Sequence, residues 1–329
     1  MAEREDNQDQ RISRREFFSK LVTASAAAGV TLGAGAYFLN RHVIPAGKAA
    51  GPVRPFRVPG TEGVFAVARG ADGRAITRRA VELAGGMGRF VGRGEKVLIK
   101  VNCAFARSPW VGATSSPEVV GEVVRLCYEA GAGEVAVTDY PVSDARTSFT
   151  RAELFEPVEQ AGGRVWLPAP SDFRPVRVND GTIGTWEMFD EPLRWCDKLI
   201  GVPTVKSHNL SLASLAMKNW YGFFGGSRSR FHQQIHPVIV ELGRFITPTL
   251  VVLDGTRKLM RNGPTGGSAD DVVPGETVAV STDQVAIDAF GAEMLNLKPA
   301  DVRFIPLAQQ REVGTMDYRA LAGFAEAVV

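Results

Sequence analysis

Apolar residues along the chain fall into short runs set between Gly-rich breaks, and the runs alternate between two periods. Lys96–Val101, Glu134–Thr138 and Lys198–Val202 are nearly continuous in Val, Leu, Ile and Ala, as strands buried on both faces are. Residues 64–68, 164–167, 249–253 and 277–280 read as further strands. Between them, 76–83, 117–130, 151–160, 211–221 and 284–295 carry helical spacing. In 117–130 the residues Val119, Val120, Val123, Val124 and Cys127 share one face. Ser115 or Ser116 is placed to cap that helix, Pro117 sits in its first turn, and the Gly-rich 131–133 stops it. Strands alternating with helices predict βαβ units. The expected fold is α/β, a layered and mostly parallel sheet flanked by helices, in one large domain or two intimate lobes. Ligands of such sheets bind beyond the carboxyl ends of strands, so polar residues just after the strands become the candidates for chemistry.

The first 50 residues follow other rules. Ser13-Arg14-Arg15-Glu16-Phe17-Phe18-Ser19-Lys20 precedes a mildly hydrophobic run, 21–39, rich in Gly, Ala and Thr. Through Arg14, Arg15, Phe17 and Lys20 it resembles the twin-arginine export signal. The resemblance implies the twin-arginine translocase as a partner, export of the already folded chain, and a periplasmic or otherwise exported location. Small residues at Gly47 and Ala49 suit cleavage after Ala49. A retained N-terminal membrane anchor stays open, since about 17 to 25 apolar residues span a bilayer. Residues 1–50 are therefore set aside as signal and linker, and 51–329 as the folded α/β domain, entered through a Pro- and Gly-rich linker at 51–59.

Removing the leader changes the charge balance. Residues 1–50 hold seven Lys+Arg and five Asp+Glu, so the totals of 38 and 36 fall to 31 of each. A neutral body lacks the clustered basic footprint of a nucleic-acid binder, and no nucleic-acid partner is expected. Cys103, Cys127 and Cys196 lie far apart, with no Cys-x-x-Cys pair. They argue against a disulfide framework or a zinc ribbon and read as small buried hydrophobes, with one disulfide left open.

Candidate chemistry concentrates after Lys198–Val202. Three of the four histidines lie between His208 and His236. Pro203-Thr204-Val205-Lys206-Ser207-His208 is followed by the expected helix 211–221 with Lys218-Asn219. A Gly-rich basic loop with Gly222, Gly225, Gly226, Arg228, Arg230 and His232 comes next. On such a helix Ser211, Ser214 and Lys218 fall at i, i+3 and i+7 and share a face. Lys206, His208 and that stripe would then converge on one carboxylate or phosphate. Lys100 and Asn102 close the strand Lys96–Val101, and Asp139 and Asp254 each follow an apolar strand. In this reading Lys100 and Lys218 fix the anion, Asn102 and Asn219 orient it, and Ser211, Ser214, Arg228 and Arg230 complete its shell. Lys206 or His208 serves as acid/base. A divalent transition metal, of identity left open, would use His208 and His232 with Asp139 or Asp254.

Plainer roles suit other residues. Asp283 is placed as a helix N-cap, Asp288 as a structural partner, and Trp220, Tyr221, Phe223 and Phe224 as core and pocket wall. Residues 263–268 lack the Lys-Ser/Thr of a phosphate-binding loop. No Gly-x-Ser-x-Gly elbow or His-Glu-x-x-His helix is present.

Several of these segments carry a family resemblance. Gly201-Val202-Pro203-Thr204-Val205-Lys206-Ser207-His208, with Lys218-Asn219-x-x-Gly222 and His232, resembles the domain-of-unknown-function family 362 (DUF362). So do Ile99-Lys100-Val101-Asn102, Thr138-Asp139, Val252-Leu253-Asp254-Gly255, Gly263-Pro264, Gly266-Gly267 and Ser281-Thr282-Asp283-x-Val285-Ala286-x-Asp288. The resemblance covers nearly everything from about residue 60 to 300. Many members carry a ferredoxin-type module; with three scattered cysteines this chain alone is expected to hold no iron–sulfur cluster. The leading expectation is an exported enzyme, of isomerase or lyase type, acting on a small anionic ligand. The alternative is a non-catalytic periplasmic metal- or cofactor-maturation factor for a redox partner protein.

Overall fold

Successive residues of a strand face opposite sides of its sheet, so a strand apolar at every position needs cover on both sides. The computed structural model describes residues 49–179 and 181–329. Its strands, in chain order, are β1 (Val64–Arg69), β2 (Lys96–Val101), β3 (Glu134–Thr138), β4 (Arg164–Val165), β5 (Phe173–Arg177) and β6 (Thr185–Phe189). They continue as β7 (Lys198–Val202), β8 (Thr204–His208), β9 (Leu212–Ser214), β10 (Leu250–Leu259), β11 (Val272–Ser281) and β12 (Gly323–Val328). One sheet has the order β12-β1-β11-β10-β7-β2-β3-β4, with β8 paired to β10 and β9 to β8. Only β11 and β9 run antiparallel to their neighbours in it. A separate antiparallel hairpin, β5–β6, was not legible in the sequence.

The sheet is covered on both faces, as its apolar strands require. Val97, Ile99 and Val101 of β2, Val135 and Val137 of β3, and Ile200 and Val202 of β7 join the core beneath helices Gly73–Leu83 and Pro117–Glu129. Leu98, Ala136, Leu199, Val251 and Leu253 face the other way, towards helices Ala216–Asn219, Ile235–Phe245 and Gln284–Met294. Alternation along β2 puts Lys100 on the Leu98 side, facing Ala216–Asn219.

Three local expectations need correction. Residues 211–221 are not one helix: Leu212–Ser214 is β9, and helix begins only at Ala216. The segment after Pro203 forms a further strand, β8, and its open edge recruits β9 with Lys206 opposite Ser214 and His208 opposite Leu212. The serine stripe on a helix face therefore does not exist. The expected helix 151–160 is two, Ala145–Arg151 and Phe155–Gln160, parted where Glu153 takes a left-handed φ of 56°. The expected linker 51–59 is strapped to the body: Val53 and Phe56 are buried, and the Phe56 N–H donates to Thr247 O at 2.9 Å. All three cysteines are buried and free.

No helix among the described residues is long and apolar enough to cross a membrane. Arg14, Arg15, Phe17 and Lys20 lie outside the described residues.

Candidate functional site

Beyond the carboxyl ends of β2 and β3, and beside β8, lies a cavity of about 600 Å³. Lys100, Asn102, Asp139, Lys206, His208, Ser214, Lys218, Asn219, Arg228 and His232 all line it. Phe105, Tyr140 and Tyr221 supply aromatic walls, and Pro264 and Thr265 reach it from the segment after β10.

Lys100 is fully buried and spends all three of its donors. Its Nζ lies 2.7 Å from Asp139 Oδ1 and donates to Val101 O at 2.7 Å and Asn219 Oδ1 at 3.3 Å. Asp139 is fixed in turn by the N–H of Cys103 (2.6 Å) and of Tyr140 (2.8 Å). Burial pulls the Lys100 ammonium below its usual range, and the Asp139 carboxylate opposes that pull. The pair rests against Gly222, where a Cβ would run into Asp139 Oδ1 and come within 2.6 Å of Lys100 Nζ. That contact is the physical reason for glycine three residues after Asn219.

The other cations have no such partner. Lys206, 1% exposed, donates from Nζ to Asn102 Oδ1 (2.8 Å) and Ala113 O (2.6 Å). Burial, then the Lys218 charge, lowers its pKa to about 7. Lys218 Nζ makes no hydrogen bond to a described residue and lies 5.4 Å from the centre of the Tyr221 ring. Burial and Arg228 bring its pKa to about 8. Arg228 donates to the carbonyls of Tyr140 (2.9 Å), Tyr221 (3.3 Å) and Phe224 (3.4 Å), with its guanidinium 4.8 Å above the Tyr140 ring. Tyr221 OH is buried without a hydrogen-bond partner, and burial raises its pKa.

Asn102 and Asn219 are the joints of this array. Asn219 Oδ1 accepts from Lys100 and from Asn102 Nδ2 (3.2 Å), while its Nδ2 donates to Lys100 O (3.1 Å). Both amides hold lysines in place while lining the cavity.

His208 accepts the N–H groups of Leu210 (3.1 Å) and Ser211 (3.3 Å) on Nδ1. Burial, then Lys218, Lys206 and His232, drives its pKa to about 2, so it stays neutral at ordinary pH. Of the two acid/base candidates, Lys206 is the one that titrates near neutrality. His232 lies alongside His208, with ring centroids 6.4 Å apart and planes 19° apart. Asp139 is committed to Lys100. Asp254 is turned elsewhere, accepting from Ser116 N–H (2.6 Å) and Thr256 Oγ1 (2.7 Å). Among the described residues no three His, Cys, Asp or Glu converge as a metal site requires. The expected ligand set of His208, His232, Asp139 and Asp254 therefore does not fit a shared ion.

Two more expected residues fall outside the cavity lining. Ser211 Oγ donates to Ala213 O at 2.8 Å, closing the β8–β9 turn. Arg230 lies over the Trp186 (5.1 Å) and Phe231 (5.7 Å) rings.

The helix carrying Lys218 is set by two contacts that sequence reasoning assigned only loosely. Asp288, wholly buried, accepts the N–H of Ala216 (2.6 Å) and Met217 (3.2 Å). Burial raises its pKa to about 8 against those two bonds. Trp220 lies across Gly201, where a Cβ would come within 2.7 Å of its ring. Its Nε1 donates to Gln284 Oε1 at 2.5 Å. Asp283 caps Gln284–Met294 as expected, accepting from Val285 and Ala286.

With this geometry in view, likeness to other proteins can be placed. The model of the family described as Domain of unknown function (DUF362) matches residues 97–293, and the chain belongs to that family. It is 29% identical over 257 residues to the Thylakoid-associated protein sll1697 of Synechocystis sp. (strain ATCC 27184 / PCC 6803 / Kazusa), covering 73% of this chain and 74% of that protein. A crystal structure of a Thermotoga maritima protein aligns with TM-score 0.39 at 10% identity, over 74% of this chain and 60% of that one. The chain thus spans about three-fifths of that protein's length, a likeness too slight to bear on function.

Proposed function

We propose that the cleft binds a small organic anion, a carboxylate or a phosphate, and that the protein is an enzyme acting on it. One observation carries this reading. Lys206, Lys218 and Arg228 line one cavity whose single carboxylate among the described residues, Asp139, is already closed on Lys100. Desolvated cations left without a counter-charge are costly, and an incoming anion would supply the missing charge. Lys206, poised near neutrality, is the proton acceptor or donor, and an isomerase or lyase reaction on a carboxylate suits a single amine of that kind. Export by the twin-arginine route, with removal of the leader, is part of the proposal and rests on Arg14, Arg15, Phe17 and Lys20. The alternative, a non-catalytic metal- or cofactor-maturation factor, is favoured by no specific observation, and its metal-carrying form would need a ligand set that His208, His232, Asp139 and Asp254 do not form among the described residues.

Thermal denaturation against a panel of small carboxylates and phosphates tests the reading. At 100 times its Kd a ligand adds about 2.7 kcal/mol to stability, enough to raise Tm by several degrees. At least one anion should do so with the native chain and fail with Lys218→Ala. A panel with no effect on the native chain would sink the anion reading. Arg14→Lys combined with Arg15→Lys should leave precursor in the cytoplasm; normal delivery of that double variant would refute the export route.

A further inference from the structure

Lys206 is held unlike either of its neighbours. Its Nζ has two acceptors, Asn102 Oδ1 and Ala113 O, and no carboxylate. Asn102 is itself fixed, its N–H donating to Ser115 Oγ at 2.8 Å and its Nδ2 to Asn219. A neutral amine has two hydrogens and one lone pair, whereas an ammonium has three hydrogens. Two acceptors match the neutral form, and no described residue supplies a third. The remaining tetrahedral position of Nζ is then the lone pair, on a residue that lines the cavity beside Phe105, whose ring centre is 5.7 Å away. A desolvated amine next to a second cation is the setting that turns lysine from a charge into a nucleophile. Lys218 and Arg228 furnish the cations in the same cavity.

We propose that Lys206 condenses with the carbonyl of a small oxo acid to form an imine, while the carboxylate of that molecule lies on Lys218 and Arg228. The proposal rests on the anion reading, names its substrate class, and gives Lys206 the role of nucleophile in place of proton acceptor or donor. In the first step the Nζ lone pair forms a C–N bond to the carbonyl carbon. The C=O π electrons move to oxygen, and one nitrogen proton passes to that oxygen, giving a carbinolamine. The C–O bond then breaks with uptake of one proton from solvent, water leaves, and a protonated imine remains. No oxidant or reductant enters. The iminium accepts electrons from a bond broken at the adjacent carbon, the step an isomerase or lyase of a carboxylate would use.

Trapping with borohydride tests the idea on the full chain. Protein is incubated with pyruvate, reduced with sodium borohydride, digested and mapped by mass. Hydride adds to the imine carbon, leaving a stable secondary amine. The expected result is one reduced pyruvyl group per chain, on Lys206 and dependent on pyruvate. Labelling should fall by about tenfold or more in Lys218→Ala, as expected when a partly buried charge that holds the carboxylate is removed. Lys206→Arg, checked for native circular dichroism, should not label. Lactate, which keeps the carboxylate but lacks the carbonyl, should compete without labelling. Labelling spread evenly over the lysines, or absent from Lys206 with pyruvate, oxaloacetate and acetoacetate alike, overturns the imine. If labelling is absent yet pyruvate and lactate both raise Tm in the native chain and not in Lys218→Ala, the imine falls and the anion site stands. If neither raises Tm while another anion of the panel does, the oxo-acid substrate class falls and the anion site stands; if no anion of the panel raises Tm, both fall together.

Discussion

Lys100 and Lys206 project into one cavity from parallel strands of one sheet, each all but fully buried, yet they are compensated differently. Lys100 meets a carboxylate, two carbonyl oxygens of backbone and amide, and a glycine that makes room for the pair. Lys206 meets two neutral oxygens and faces the Lys218 charge. The first half of the cleft is a closed circuit whose removal should harm the fold. The second is left electrostatically incomplete, and its removal should harm binding. Burial alone thus does not tell a structural lysine from a functional one; the count of satisfied donors and counter-charges does.

The sharpest way to break that contrast is to exchange the expected phenotypes. Lys100→Met strands Asp139 in the interior and should cost about 3–5 kcal/mol of stability, read from urea denaturation. Lys218→Ala should weaken anion binding by about 30-fold or more, roughly 2 kcal/mol, in calorimetric titration. Its ligand-free stability should hold or rise, because a desolvated cation has gone. Equal destabilisation by the two variants would erase the distinction. Gly222→Ala pushes a methyl into the Lys100–Asp139 pair and should cost about 1–3 kcal/mol, the range for overpacking. A neutral outcome there would mean the pair moves aside freely.

Dependence on pH sharpens the comparison further. Lys206 and Lys218 have folded pKa values of about 7 and about 8, against an ordinary 10.5. From about pH 7 upward, first one and then both hold fewer protons folded than unfolded, so their contribution makes stability rise with pH towards 10.5. Below 7 their full penalty is present. The slope per lysine is at most about 1.4 kcal/mol per pH unit. Urea midpoints measured from pH 7 to 10 should climb less steeply in Lys218→Ala than in the native chain; identical slopes would contradict the shift. Anion binding near pH 8 should take up protons, seen as a buffer-dependent binding enthalpy. The smallest effect expected is at Asp254, whose bonds go to Ser116 and Thr256. Asp254→Asn should leave anion affinity unchanged and cost about 1 kcal/mol, as loss of a capping interaction does.

How much of this was legible depended on the kind of signal. Lys96–Val101, Glu134–Thr138 and Lys198–Val202 were read to the residue, because strands covered on both faces are apolar at nearly every position and stand out from the rest of the chain. Ser211 to Ser214 was misread as helix because two serines at i and i+3 carry helical spacing, and only the open edge of β8 overrides it. Leu212 even takes a left-handed φ of 64° there, which no sequence pattern announces. The convergence of Lys100, Lys206 and Lys218 followed from strand direction, since parallel strands end on one side. Asp139 and Asp254 were indistinguishable in sequence, each following an apolar run. What separates them is whether a lysine or a helix start lies opposite, a fact of three-dimensional neighbours. The aromatic walls Phe105 and Tyr140 lie in loops without periodicity and gave no signal at all.

The cleft is also spread widely along the chain, from Lys100 on β2 to Thr265 after β10. A chain emerging from the ribosome exposes Lys100 and Asp139 long before Gly222 arrives for them to rest on, and Lys218 comes later than either. Such distant pairings close late, because the chain must first give up the freedom of the loops between them. No N-terminal fragment ending before residue 265 holds the whole cavity. An anion in the cleft would therefore report that segments far apart in the chain have already met.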